Sequence, residues 1–69
     1  MGNIHLEYFM EESDNYVLEK KEEDLKVINN SELKELLKNS KFELEYIDKD
    51  TYEFIKGKIN RIPITISIL

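Results

Sequence analysis

The side chains able to do chemistry in this chain are few: one histidine, no cysteine, two glycines, four tyrosines and fifteen carboxylates. A lone imidazole needs a neighbour to tune it, and none stands at a useful spacing from His5, which reads as an exposed or structural residue. With one histidine, no cysteine and no Gly-rich phosphate loop, the usual combinations of nucleophile, base and oxyanion donors cannot be assembled from known spacings. The expectation is therefore a non-enzymatic chain with no catalytic residue and no cofactor. Asp48-x-Asp50 fails as a calcium loop, because the sixth position is Glu53 where an EF-hand needs glycine and the twelfth is Ile59 where it needs glutamate. It reads instead as a turn. The adjacent acids Glu22-Glu23-Asp24 do not converge on one ion, so no metal site is expected. Tyrosines and phenylalanines can stack on bases, but here Glu43, Glu45 and Glu53 flank them, and the aromatic rings read as core.

Charge carries more information than motifs. The net charge is −5. Residues 1–35 hold ten acids and four bases, whereas residues 36–69 hold five acids and six bases, so the N-terminal half carries the whole excess. Direct binding to nucleic acid needs clustered Lys and Arg that release counterions, so none is expected. The acidic run Glu11, Glu12, Asp14, Glu19, Glu22, Glu23 and Asp24 is the candidate partner-binding surface. Such a run presents carboxylates to a basic groove, imitates phosphates and speeds association by steering.

These residues need elements to hold them. Asn3 to Met10 alternates Ile4, Leu6, Tyr8 and Met10 against His5, Glu7 and Phe9, which predicts a first strand. Tyr16 to Lys20 predicts a second, with a helix over about 15–23 as the alternative. A tight turn at Glu22-Glu23 then sets Leu18 opposite Val27 and Lys20 opposite Leu25. After Leu25 to Ile28, Asn29 and Glu32 have the spacing of a capping box, with Ser31 as a competing cap, and Ile28 and Leu33 that of a hydrophobic staple. Leu33, Leu36 and Leu37 give the helix one apolar stripe, and Asn39 can end it in the left-handed conformation. Phe42 to Tyr46 and Tyr52 to Ile55 predict a hairpin pairing Tyr46 with Tyr52 and Leu44 with Phe54. Gly57 opens the last connection. The final strand sets Ile62, Ile64, Ile66 and Ile68 on one face, and Pro63 suits an edge or a strand start.

One domain spans residues 1–69. It is an α+β chain with a single, mostly antiparallel sheet of about β-β-β-α-β-β-β order packed on one short helix. No stretch is long enough to span a membrane and no signal peptide is visible, which points to the cytoplasm. A core this small gains from self-association, and the terminal strand is expected to offer an edge for a homodimer. In size, acidity and absence of cysteine the chain is similar in general profile to phage-encoded anti-defence proteins such as anti-CRISPR proteins. The favoured function is a small acidic inhibitor or modulator of a larger, basic, nucleic-acid-handling protein. The alternatives are a homodimeric structural or assembly protein and an immunity or antitoxin-type protein that neutralises one partner.

Overall fold

The computed structural model describes residues 4–20 and 24–69. Its elements run α1 (Ile4–Phe9), β1 (Asn15–Lys20), β2 (Asp24–Asn29), α2 (Asn30–Asn39), β3 (Phe42–Ile47), β4 (Phe54–Ile59) and β5 (Ile62–Ile68). The five strands form one antiparallel sheet in the order β2-β1-β5-β4-β3, so the fold is α+β with a single sheet. No helix among the described residues is long and apolar enough to cross a membrane.

The isoleucine strand organises the sheet. β5 lies at its centre between β1 and β4, and Ile64 and Ile66 are buried while Ile62 and Ile68 are half-buried. Each buried isoleucine contributes roughly 1.5–3 kcal/mol before entropy is subtracted. A central strand has no free edge, so the homodimer surface expected of it does not exist. Pro63 is tolerated because it is the second residue of the strand. The described ladder between β1 and β5 ends at Lys20 and Ile64, one position short of it.

The first expected strand is a helix. Leu6, Phe9 and Met10 stand at i, i+3 and i+4, which a helix turns onto the core together, whereas an extended chain would have left Phe9 on the outer face. Phe9 is fully buried with its ring 5.2 Å from that of Tyr16, and the Tyr16 hydroxyl donates to the Phe9 carbonyl at 2.6 Å. Six residues cannot hold a helix alone, so this contact fixes it.

β1 forms as a strand, but its register against β2 differs from expectation by one residue. Val17 faces Val27, Leu18 faces Lys26 and Glu19 faces Leu25. Helix α2 decides this. Asn29 caps it, accepting from the Glu32 N–H at 2.8 Å while the Glu32 carboxylate accepts from the Asn29 N–H at 3.0 Å, so the capping box is present. The staple residue Ile28 must then face the helix and join Leu33 in the core. With side chains alternating, Leu25 and Val27 fall on the opposite face. The expected turn at Glu22 and Glu23 lies outside the described residues. The helix ends on Ser40, whose backbone is extended and whose N–H donates to the Leu36 carbonyl, so Asn39 is not the left-handed stop.

The β3–β4 hairpin also departs from its expected register. Ile47 faces Ile55 and Tyr46 faces Lys56, with a bulge between Leu44 and Tyr46. That extra residue lets Phe42, Leu44 and Ile47 share the core side with Ile55 and Ile59, and sends Tyr46 outward beside Phe54 at 5.6 Å between rings. Tyr52 lies in the connection with φ 53°, not in the strand. Gly57 belongs to β4 and opens no connection. A side chain there would meet the Glu43 carbonyl and stand 2.6 Å from the Phe42 ring. The β4–β5 turn is Asn60-Arg61 alone. Both residues have positive φ (51° and 68°), as a two-residue hairpin between Ile59 and Ile62 requires.

Candidate interaction surface

Alternation along these strands gives the sheet two unlike sides. Tyr16, Ile28, Ile55, Ile64 and Ile66 face the helices with Phe9 and Leu33, and apart from the Tyr16 hydroxyl no polar or charged side chain is buried among the described residues. No helix among the described residues lies over the other side. Across it run Leu25 and Val27 of β2, Val17 and Glu19 of β1, Thr65 and Ser67 of β5, Phe54, Lys56 and Lys58 of β4, and Tyr46 of β3. Leu25 is 70% exposed, Val27 58% and Tyr46 50%. The Lys56 ammonium lies 5.9 Å from the Phe54 ring and that of Lys58 3.4 Å from the Glu45 carboxylate, so the β3–β4 end of this face is polar and internally paired.

The acidic run is divided by the fold. Glu11 and Glu12 close the last turn of α1, their N–H groups donating to the Tyr8 and Phe9 carbonyls, and Asp14 follows just before β1. Asp24 lies at the far end of the β1–β2 hairpin, opposite Lys20. A six-residue strand spans roughly 20 Å, so these are two groups, not one patch. Glu19 stands between them on the open side, half-buried. Glu22 and Glu23 lie outside the described residues. Glu11 forms an ion pair with Lys34 of α2, but both side chains are exposed and the pair contributes little to stability.

A groove runs between α2 and β2, about 380 Å³ in volume, lined in part by Leu18, Ile28 and Leu36 with Lys26, Glu32 and Glu35. Sequence reasoning missed this feature because it placed Leu25 and Val27 under the helix. Only the spacing of Glu32, Glu35 and Leu36 on one helical stripe could have suggested it.

The remaining candidates have structural partners. His5 Nδ1 lies 2.9 Å from the Tyr52 hydroxyl, and its ring stacks on that of Tyr52 with centroids 6.2 Å apart, so it docks α1 on the 48–53 connection. Asp48 holds that connection itself. It accepts from the Asp50 N–H at 3.0 Å and from the Thr51 hydroxyl at 2.5 Å, and the Thr51 hydroxyl is the main reason its carboxyl is held below the usual range. Among the described residues no group of three or more His, Cys, Asp or Glu side chains could hold a metal ion. Comparison of the chain with protein-family models, with curated proteins and with solved structures returns no match.

Proposed function

We propose that this chain is a non-enzymatic interaction protein of the cytoplasm that binds and modulates a larger, basic, nucleic-acid-handling protein. One observation carries the reading: in a chain of net charge −5, no helix among the described residues covers one side of the sheet, and Leu25, Val27 and Tyr46 are exposed there. Exposed apolar residues set among charges are the ordinary makings of a protein contact. Carboxylates at both ends of the β1–β2 hairpin would draw a basic partner toward that contact, raising the association rate more than the final affinity.

The test begins with capture of a partner from the native host on the immobilised chain. Association with that partner is then timed across ionic strengths for the wild type and for a variant with Glu11, Glu12, Glu22 and Glu23 changed to Gln. Slower association with a flattened salt dependence supports steering by the acidic run. An unchanged rate at every ionic strength would remove the run from the mechanism, and capture of no basic protein would remove the reading itself.

A further inference from the structure

We propose that the outer edge of β2 is a docking site for an extended, basic segment of a partner protein, which adds to the sheet as a sixth strand. The assignment rests on the interaction reading above and specifies where and how contact is made. The Asn30 N–H donates to the Asp14 carbonyl at 3.0 Å, in the same register that pairs Ile28 with Tyr16 and Lys26 with Leu18. In an antiparallel ladder the bonded pairs fall on every second residue, so Ile28, Lys26 and Asp24 bond inward to β1. The backbone groups of Leu25 and Val27 therefore point away from the sheet.

The two edges of the sheet are not alike. β3 carries a bulge and the acids Glu43 and Glu45, devices that block pairing with another chain. β2 has six residues in unbroken register with β1, no proline and no bulge. A strand laid along it would place alternate side chains on the two sides of the sheet. On the open side they would cover Leu25 and Val27. On the helix side they would enter the groove between β2 and α2, where Leu18, Ile28 and Leu36 offer apolar wall and Glu32 and Glu35 offer charge.

Charge selects the occupant. Glu32 and Glu35 outnumber Lys26 in the groove, and Glu35 makes no ion pair among the described residues. Lysines on the helix side of the added strand could lay their stems along Leu36 and reach these carboxylates. A second copy of the chain fits worse. A two-fold pairing that sets Leu25 against Val27 sets Lys26 against its own copy, and brings the two acidic α2 stripes together across the seam. Strand addition to an exposed edge draws affinity from main-chain bonds and specificity from alternate side chains, which here ask for an alternation of basic and aliphatic residues.

The probe is a synthetic octapeptide of alternating Lys and Val, with a Glu and Val octapeptide as its counterpart, titrated into the 15N-labelled chain. Saturable amide shifts at Leu25, Val27 and along α2 are expected with the Lys peptide and not with the Glu peptide. Val27→Pro removes an N–H that the fold does not use, and Glu35→Lys inverts one groove charge, so each should weaken binding about tenfold or more while the melt stays cooperative. Equal response to both peptides, shifts confined to Tyr46 and Phe54, or none up to millimolar peptide would overturn the site. A wild-type mass that doubles with concentration, and does not in Val27→Pro, would give the edge to a second copy instead. If the captured basic partner still binds Val27→Pro and Glu35→Lys at full strength, this site is wrong while the interaction reading stands.

Discussion

The β1–β2 and β3–β4 hairpins flank the same central strand, yet they end the sheet in opposite ways. β3 spends a bulged residue to bring Phe42, Leu44 and Ile47 onto the core side, and two of its outward side chains have partners, Tyr46 in Phe54 and Glu45 in Lys58. β2 gives the core only Ile28, because the capped start of α2 fixes which of its residues face inward. Leu25 and Val27 are left with water. One hairpin is shaped by its own packing and the other by the helix that follows it. An edge of the second kind stays open, since the constraint lies at its end and not along its length.

The largest way to break both hairpins at once is to damage what they share. Ile66→Asp places a carboxylate at a fully buried position of β5 among apolar side chains, and it is expected to abolish the cooperative melt followed by circular dichroism. A wild-type transition in that variant would mean that the centre of the sheet is misassigned. Gly57→Ala separates the two hairpins. The added carbon meets the Glu43 carbonyl and the Phe42 ring, so β3 must shift from β4 at a cost of about 1–3 kcal/mol. Amide exchange should rise in β3 and β4 before it rises in β1 and β2. Uniform loosening of all five strands would show that the hairpins do not respond separately.

A smaller effect sharpens the other side. Burial raises the Tyr16 hydroxyl above its ordinary value of 10.0, so the folded chain holds that proton more tightly than the unfolded chain does. Its contribution is complete below that ordinary value and is lost as pH rises through the raised one. Tyr16→Phe should cost about 1 kcal/mol at neutral pH through the lost hydrogen bond to the Phe9 carbonyl, and should flatten the alkaline fall in stability. Melting temperatures of both chains across the alkaline range provide the check, and parallel curves would contradict it.

How far the sequence reaches follows from which constraints are local. The capping box at Asn29 and Glu32 and the alternation Ile62 to Ile68 lie within a few residues, and both stand in the structure. The α+β class with one sheet follows from them. The helix over Ile4–Phe9 was hidden because Ile4, Leu6, Tyr8 and Met10 satisfy a period of two, and the rival helical spacing of Leu6, Phe9 and Met10 wins only through the contact of Phe9 with Tyr16 across the turn. Both hairpin registers depended on something outside the hairpin, the parity of Ile28 in one and the bulge before Tyr46 in the other. Strand order is less local still. That β5 is central and β2 an edge is a property of the whole chain, so the candidate interaction edge left no mark on residues 24–29 beyond an ordinary alternation. The acidic run was plain in the sequence, but its division between the two ends of a hairpin was not.

The most direct test of the open edge is residue-by-residue amide hydrogen exchange of the dilute, isolated chain. Lys26 and Ile28, bonded inward to β1, should be protected together with the residues of β5. Leu25 and Val27, on the same strand but facing outward, should exchange at nearly the rate of an unstructured amide. Protection that alternates in this way along β2 is the result the account predicts. Strong protection of Leu25 and Val27 would contradict it, because their N–H groups would then already have partners and the edge would not be free to receive a strand.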